Sequence, residues 1–264
     1  MTEQGFPAGE IDTSRPHPAR MYDYYLGGKD NYEVDREAAD RIVDAAPEVV
    51  VGARANRDFL QRAVSFLAER GVRQFIDIGT GIPTSPNTHE IAHSVAPDAR
   101  IAYIDNDPIV ATHAGARLLG TGNTGFFLAD MRDPQTILGH PTISELIDFD
   151  QPVALMLVSV LHFVTDEEDP RGMVTTLGEA LPDGSYLVLS HATADFHAEK
   201  AGEVTAVYKN ATAVLTPRSH AGVLEFFDGY DLVEPGLVQV NHWKQEVPED
   251  EPPVGVYGAV ARKR

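Results

Sequence analysis

Residues 74–84 constrain the fold more than any other part of the chain, because an apolar strand runs there directly into two closely spaced glycines. Gly79 and Gly81 have no side chain, so the backbone can turn with positive φ and approach a ligand that a Cβ atom would exclude. Asp77 stands two residues before the first glycine, and Pro83 suits the opening of a following helix. This pattern predicts a strand, a tight turn and a helix that receive a nucleotide-type cofactor.

Two further strand and helix units support this interpretation. Gly-x-Gly alone is a weak signal, because Thr84 stands where the dinucleotide fingerprint requires a third glycine. Apolar runs at residues 100–105 and 125–130 each end in an acid, and helical patterns at residues 89–95 and 111–119 precede them. Alternating strands and helices predict a parallel, doubly wound sheet whose ligand lies at the carboxyl ends of the strands.

Three acids close the first three predicted strands. In a doubly wound sheet Asp77, Asp105 and Asp130 would line one crevice, where an acid after the second strand suits a ribose diol. Each acid could instead be a turn residue or the cap of the next helix, and Asp105, which precedes Asn106 and Asp107, is the most open to that alternative. The coincidence of three acids with the glycine turn favours a cofactor site.

The later strands bring two histidines to the same edge. Residues 152–161 are a nearly continuous apolar run, which predicts a central parallel strand, and residues 185–191 form the next strand after a helix at residues 172–181. His162 follows the first of these strands and His191 ends the second. Each histidine could take or steer a proton near neutral pH, or could be bonded to backbone at a strand end.

The C-terminal part predicts two helices and a final pair of β segments. The helices lie at residues 198–212 and 216–227, and the last β segment, residues 254–261, follows a long loop rich in acids. With 264 residues, of which 43% are hydrophobic, the chain can form one domain with a sizeable core.

Composition limits the function classes. No apolar run approaches the roughly eighteen residues of a membrane span, and no apolar signal segment follows the start, so a cytoplasmic location is expected. The absence of cysteine excludes disulfides, thiolate metal sites and a cysteine nucleophile, and the acidic runs lack metal-loop spacing, so no metal is predicted. The formal net charge of -19 disfavours nucleic acid and favours a small-molecule partner. The sequence leaves the oligomeric state open.

These features together resemble class I S-adenosylmethionine-dependent methyltransferases. The resemblance implies a seven-stranded Rossmann-like sheet with an antiparallel last strand, which the final β pair matches. It also implies that Asp77 lies near the methionine part of the cofactor, that Asp105 binds the ribose hydroxyls and that Asp130 meets the adenine amine. The neighbouring residues that complete the implied cofactor site are Gly79, Thr80, Gly81, Asn106 and Met131.

The N-terminal stretch carries a second resemblance. Residues 16–32 hold four tyrosines and two glycines among seventeen residues. This segment looks like the opening signature of an actinobacterial S-adenosyl methyltransferase family that was formerly a domain of unknown function. Tyr22 and Tyr25 could cover the cofactor through their ring faces, or could pack a cap onto the sheet. The expected organisation is a mobile segment at residues 1–16, a helical cap at residues 17–70 and a Rossmann-like core at residues 71–264.

An arginine pair follows the cap. Arg54 and Arg57 precede Phe59 with a spacing similar to the Arg-Thr-Arg-x-Phe-Asp opening of leucine carboxyl methyltransferase-like enzymes, in which an arginine pairs with the cofactor carboxylate. The resemblance implies that one of the two arginines has this role, for which a guanidinium is well suited. The alternative is a solvated arginine on the helix surface.

The sequence therefore predicts an S-adenosylmethionine-dependent methyltransferase with a small-molecule acceptor. Two alternatives remain: an NAD(P)-dependent oxidoreductase, and a protein that binds S-adenosylmethionine without turnover and works as a regulator. Three features weigh against the oxidoreductase. The carboxylate of Asp77 is unfavourable beside an anionic dinucleotide. The third glycine of the dinucleotide fingerprint is missing, and the final β pair is typical of methyltransferases.

Overall fold

Five parallel strands form the centre of one mixed sheet. A computed structural model describes residues 12–117, 122–248 and 250–264. In chain order the strands are β1 (Gln74–Ile78), β2 (Arg100–Asp105), β3 (Thr124–Leu128), β4 (Ala154–Val158), β5 (Tyr186–Ala192), β6 (Tyr230–Leu232), β7 (Val238–Gln239) and β8 (Val256–Lys263). The sheet order is β3, β2, β1, β4, β5, β8, β6, and β7 also pairs with β8. Because the strand order reverses between β1 and β4, a ligand crevice is expected there.

Ten α-helices surround the sheet in the described part of the chain. They are α1 (Pro18–Tyr25), α2 (Glu33–Ala45), α3 (Glu48–Glu69), α4 (Thr88–Val95), α5 (Pro108–Arg117), α6 (Pro134–Leu138), α7 (Pro141–Leu146), α8 (Pro170–Glu179), α9 (Ala201–Tyr208) and α10 (His220–Leu224). Proline occupies the first turn of five of them, which are α1, α5, α6, α7 and α8, where its missing N–H has no intrahelical partner to lose.

Alternation along the strands builds two hydrophobic layers. In β1, Phe75 packs in one cluster with Phe59 of α3 and Ile91 of α4. The next residue, Ile76, packs in a different cluster with Leu177 of α8. Successive side chains of a strand point to opposite faces, so the central strands are buried on both sides and are almost entirely apolar. Polar side chains such as Asp77 occur where β1 ends, which is where the site forms.

A third hydrophobic cluster belongs to the N-terminal cap, residues 17–70, and to the segment after β5. We call it the cap cluster; its buried members are Met21, Tyr25, Ala38, Ala39, Ile42, Ala53, Tyr208, Ala211 and Leu215. It joins α1, α2 and the first turns of α3 to α9 and to residues 211–215. The cap is therefore held against the carboxyl edge of the sheet by apolar packing from two distant parts of the chain.

The predicted fold class is confirmed: the sheet is doubly wound, and its last strand, β8, is antiparallel to both β5 and β6. The sheet has eight strands rather than the predicted seven, because the two-residue β7 adds to the edge of β8. The helix predicted at residues 198–212 is shorter, and forms α9. Residue 119, the predicted end of α5, lies outside the described residues.

Two residues that precede the cap contact the segment after α9. Pro16 is buried, and its carbonyl accepts a hydrogen bond from Thr212 N at 3.0 Å. Arg15 also donates to the carbonyl of Ala211. These contacts begin the fold before residue 17. None of the described helices is both long enough and apolar enough to cross a membrane.

Candidate functional site

Residues around the glycine turn after β1 fix its conformation. Gly79 and Gly81 have φ values of 75° and 68°, in the left-handed region. The N–H of Gly79 donates to the carbonyl of Ile104 at 2.8 Å, which ties the turn to β2. A Cβ atom on Gly79 would lie 2.4 Å from a methyl carbon of Val160, so this position excludes a side chain for two independent reasons. Thr80 Oγ1 donates to the carbonyl of Asp77 at 2.9 Å and closes the turn.

Asp77 is buried at the end of β1. Thr88 Oγ1, at the first residue of α4, donates to Asp77 Oδ2 at 2.7 Å. Burial raises the pKa of Asp77 to about 6, although the Thr88 hydrogen bond and the Arg57 charge oppose the rise. A cationic ligand beside this carboxyl would lower its pKa and favour its ionised form.

Asp105 connects the end of β2 to the glycine turn. Gly81 N donates to its Oδ2 at 2.8 Å, and Asp107 N donates to its Oδ1 at 2.9 Å. Burial raises the pKa of Asp105 to about 6, against the lowering effect of these backbone hydrogen bonds. An ionised carboxylate has about four acceptor sites, so each oxygen can accept a further hydrogen bond from a ligand.

Asp130 lies at the next strand end in a more exposed environment. Its carboxylate accepts hydrogen bonds from Asn106 Nδ2 at 3.1 Å and from Arg132 Nη1 at 3.2 Å. Arg132 also donates to Glu168 Oε1 at 2.6 Å and to the carbonyl of Phe163 at 2.8 Å. Arg132 thus braces Asp130 against the turns that follow β4.

The N-terminal signature fastens the cap beside the cofactor acids. Arg20 donates from Nε and Nη2 to the two oxygens of Asp107, each at 3.1 Å, and both side chains are almost fully buried. His17 Nδ1 lies 3.2 Å from the same carboxylate. Since the backbone N–H of Asp107 also bonds the carboxylate of Asp105, α1 is linked to Asp105 through Asp107.

The cap tyrosines have different environments. Tyr22 donates to the carbonyl of Ala53 at 2.9 Å and accepts from Asn56 Nδ2 at 2.9 Å. Asn56 Oδ1 then accepts from Ser190 of β5 at 2.6 Å, which makes a continuous polar connection from the cap to the sheet. Tyr25 is buried, and its hydroxyl lies beside that of Tyr208, whose pKa burial raises to about 12.

The two predicted histidines are neutral, and only one of them lines the cavity. The N–H of Ala192 donates to His162 Nδ1 at 3.1 Å, and burial lowers the pKa of His162 well below its usual range. His191 is bonded at both nitrogens, because Nδ1 donates to the carbonyl of Ala192 and Nε2 accepts from Arg218 Nη1, each at 2.8 Å. Burial lowers the pKa of His191 to about 3.

His191 is therefore not positioned as a proton acceptor, which corrects the prediction for that residue. It follows Leu189 at an interval of two in β5, and its ring packs 5.8 Å from the ring of Phe226, on the face opposite Ser190 and Asn56. The alternative interpretation, a histidine bonded at a strand end, describes it.

Of the two predicted arginines, too, only one lines the cavity. Arg54 is exposed on α3 and does not line the cavity, so its predicted cofactor contact is not supported. Arg57 does line the cavity, and its Nη2 donates to the carbonyls of Thr84 and Pro86. Its Nε is buried without a hydrogen-bond partner among the described residues. Arg57 is thus the member of the pair that can still bind an anionic group.

These elements enclose one central cavity of about 530 Å³ between the cap and the carboxyl edge of the sheet. The predicted site residues that line it are Tyr22, Tyr25, Asp77, Gly79, Thr80, Gly81, Asp105, Asn106, Asp130, Met131 and His162. This volume is typical of a site for a small molecule or cofactor. Beyond the acids the cavity continues toward the ends of β4 and β5 and toward α9.

The sequence profile of the S-adenosyl methyltransferase family matches residues 4–264. The chain belongs to this family. S-adenosylmethionine is the cofactor of the family, which confirms the cofactor prediction. None of the curated proteins matches the chain significantly.

Solved structures agree with family membership. A DUF574 family protein from Streptomyces avermitilis is 48% identical over 96% of this chain and 100% of its own length, with a TM-score of 0.92. A Thermobifida fusca protein described as a candidate methyltransferase is 38% identical over 98% and 99% of the two chains, with a TM-score of 0.91. An Anabaena variabilis SAM-dependent methyltransferase, 16% identical over 96% and 98%, shares the fold with a TM-score of 0.53.

The sequence patterns did not indicate three residues that shape this cavity. Arg20 and Asp107 form the buried pair that holds the cap, and Arg132 braces Asp130. Two signals were available: Arg20 lies within the unusual N-terminal stretch, and Asp107 stands two residues after a predicted ligand-binding acid. For Arg132 only its position next to Met131 pointed to the crevice.

Proposed function

We propose that the protein transfers a methyl group from S-adenosylmethionine to a small-molecule acceptor. The observation that carries the proposal is the convergence of Asp77, Asp105 and Asp130 on one cavity, at three consecutive strand ends beside the glycine turn. Family membership supports the cofactor, and the enclosed cavity supports a small acceptor rather than a nucleic acid. The formal net charge of -19 also opposes a polyanionic partner.

The cavity residues have the donor and acceptor types that the cofactor requires. Asp105 has acceptor capacity left for the two ribose hydroxyls, and Asp130 can accept from the adenine amine. Asp77 would hold the amino group of the methionine part, because a nearby cation favours its ionised form. The unpartnered Nε of Arg57 would receive the carboxylate. Thr80, Asn106 and Met131 would complete the contact surface.

The cofactor supplies, when bound, a methyl group on a positively charged sulfur. The protein's part is to align the reactants and to exclude water, which can account for a large share of the acceleration in a displacement reaction. Tyr22 and Tyr25 line the cavity from the cap, where their rings would cover the cationic part of the cofactor.

His162 would orient the acceptor rather than remove its proton. Its Nδ1 accepts a backbone hydrogen bond, so the ring hydrogen of the neutral side chain is on Nε2, which can only donate. The depressed pKa of His162 further opposes its protonation near neutral pH. The acceptor atom would thus enter as a nucleophile in its own right.

The two alternative functions are less well supported. Family membership gives no support to an NAD(P)-dependent oxidoreductase. A binding protein without turnover would be favoured if side chains filled the cavity beyond the cofactor acids. Instead, the cavity beyond these acids is open. It lies between helix α9 and the ends of strands β4 and β5, which favours an acceptor site.

Calorimetric titration of the purified protein with S-adenosylmethionine, S-adenosylhomocysteine, NAD and NADP tests the proposal. We expect micromolar binding of the two adenosyl compounds and no binding of the dinucleotides. Binding of the dinucleotides alone would refute the methyltransferase proposal, and so would the absence of binding by any of the four.

A further inference from the structure

One part of the cavity has walls made by the cap cluster and by residues packed on it. The side chains that line this part include Tyr25, Val49, Phe163, Val204, Tyr208 and Leu215. We call this part the second compartment. Val49, Phe163 and Val204 are only partly buried although they pack on the cluster, so their apolar surface faces open space. A ligand that covers this surface would gain hydrophobic free energy.

Aromatic rings from three separate elements contribute to the second compartment. Phe163, in the turn after β4, lies with its ring centroid 5.5 Å from that of Tyr208 on α9, at an interplanar angle of 49°. The hydroxyl of Tyr25, on α1, lies beside that of Tyr208. Aromatic pairs prefer offset or edge-to-face arrangements, so a planar ring of a ligand could pack against the exposed side of these rings.

The charged residues at this compartment neutralise each other. Lys200, immediately before α9, binds both carboxylate oxygens of Glu48 at 3.1 Å, and Glu48 begins α3. His197 lies 3.6 Å from the same carboxylate. All three residues line the cavity. Because Lys200 and Glu48 already pair with each other, a charged group on a ligand would have to break this pair to gain a partner.

The available volume also limits the occupant. Cofactor and acceptor would share about 530 Å³, which lies within the range of roughly 300–1,000 Å³ typical of a single small-molecule site. This volume favours a small acceptor.

We propose that the second compartment binds the methyl acceptor, and that the acceptor is a small, planar, mostly apolar aromatic compound with its nucleophilic atom on the ring or at its edge. This inference rests on the proposed methyl transfer. In that transfer a lone pair of the acceptor atom forms the bond to the methyl carbon. The bond from this carbon to sulfur breaks with its electron pair staying on sulfur, and a proton carried by the acceptor atom passes to water.

Fluorescence titration with 2-naphthol tests the inference on the full-length protein saturated with S-adenosylhomocysteine. Decahydro-2-naphthol is the non-planar control ligand, and the charged amino acid glutamate is the polar control. We expect saturable binding of 2-naphthol that does not displace S-adenosylhomocysteine. The affinities of the two control ligands are measured by their competition with 2-naphthol and should be at least about tenfold weaker. Decahydro-2-naphthol loses the ring stacking, and glutamate leaves a charge unpaired.

A matched pair of variants on α3 locates the bound probe. Val49 lines the cavity, whereas Val51 is 51% exposed and does not line it. Val49→Glu should weaken 2-naphthol binding by about tenfold or more, since it places a charge in the apolar wall. Val51→Glu should leave that binding unchanged, and both variants should keep the S-adenosylhomocysteine affinity of the original protein.

The outcomes separate the two proposals. If S-adenosylhomocysteine binds but 2-naphthol does not, the aromatic-acceptor inference is wrong and the methyl-transfer proposal stands. The inference is equally wrong if Val49→Glu has no effect on 2-naphthol, or if the probe competes with S-adenosylhomocysteine. If S-adenosylhomocysteine itself does not bind, the methyl-transfer proposal fails, and the assignment of an acceptor fails with it.

Discussion

Asp107 accepts two hydrogen bonds from the guanidinium of Arg20, each at 3.1 Å, in a buried pair that fastens the N-terminal cap to the loop after β2. The two residues are 87 positions apart in the chain. Because the backbone N–H of Asp107 also bonds the carboxylate of Asp105, the pair connects the docking of the cap to the geometry of the proposed cofactor site.

Arg20→Ala should lower the free energy of unfolding by about 3–5 kcal/mol, because it leaves the buried Asp107 carboxylate without its main cationic partner. Denaturant unfolding measures this value. Arg36→Ala is the control, since that arginine forms only exposed hydrogen bonds to Asn31 and should change stability by less than about 0.5 kcal/mol. The double variant R20A/D107N should recover part of the loss. A change below about 1 kcal/mol in Arg20→Ala would contradict the buried ion pair as a clamp.

Asp105→Ala should weaken cofactor binding by about 1–3 kcal/mol if the carboxylate bonds the ribose hydroxyls in a dry site. Calorimetric titration with S-adenosylhomocysteine measures the loss, and circular dichroism verifies that the variant is folded. Asp98→Ala is the matched control, because the Asp98 side chain is 79% exposed and only faces Arg73. Unchanged affinity in a folded Asp105→Ala protein would remove the ribose assignment.

Asp77→Asn should make the protein without cofactor less sensitive to pH. In the unfolded chain an aspartate loses its proton near pH 4, but in the folded protein burial raises the pKa of Asp77 to about 6. Between these values the unfolded state binds fewer protons, so this group's contribution to stability falls as the pH rises. The stability of Asp77→Asn relative to the original protein should thus be higher at pH 7.5 than at pH 4, by about 1–3 kcal/mol.

Asparagine suits this experiment because its side-chain oxygen can still accept the Thr88 hydrogen bond. The same variant should bind S-adenosylhomocysteine more weakly at pH 7.5, where the original carboxylate can ionise beside the cofactor amine. Equal pH profiles of unfolding for the two proteins would show that Asp77 does not titrate near pH 6.

Gly79→Ala should cost more stability than Gly81→Ala. Both positions have positive φ, which costs an alanine about 1–2 kcal/mol. At Gly79 the new methyl group would also meet Val160, whereas no heavy atom outside the immediate chain lies within 4 Å of a Cβ on Gly81. The additional loss should be about 1–3 kcal/mol, as for other overpacked sites. The double variant G79A/V160A should remove most of that difference, and equal costs in the single variants would refute the steric argument.

The fold and the convergence of the three strand-end acids on one cavity were predictable from local sequence patterns. The glycine turn, three apolar strands ending in acids and the final β pair each leave a signature within a few residues, and parallel strands bring Asp77, Asp105 and Asp130 to one edge. The Arg20 and Asp107 pair left no comparable pattern, because it depends on how the cap docks on the sheet.

The site predictions that were wrong placed the residues correctly in their elements but did not anticipate where their side chains point. His191 was correctly expected at a strand end, but strand alternation turns its ring toward Phe226 and Arg218. Arg54 and Arg57 are less than one helical turn apart, and only the docking of α3 near the glycine turn distinguishes the half-buried Arg57, which lines the cavity, from the exposed Arg54. Which side chain faces the cavity is decided by the packing of the elements, and the local sequence does not show it.

A crystal structure of the protein with S-adenosylhomocysteine tests the account most directly. We predict that the ribose hydroxyls bond the carboxylate of Asp105, that the adenine lies beside Asp130 and that the amino acid part lies between Asp77 and Arg57. The second compartment, beyond the sulfur, should stay open toward Val49 and Tyr208. A ligand bound away from Asp105, or with its sulfur directed away from the second compartment, would contradict both the cofactor site and the proposed path of the methyl group.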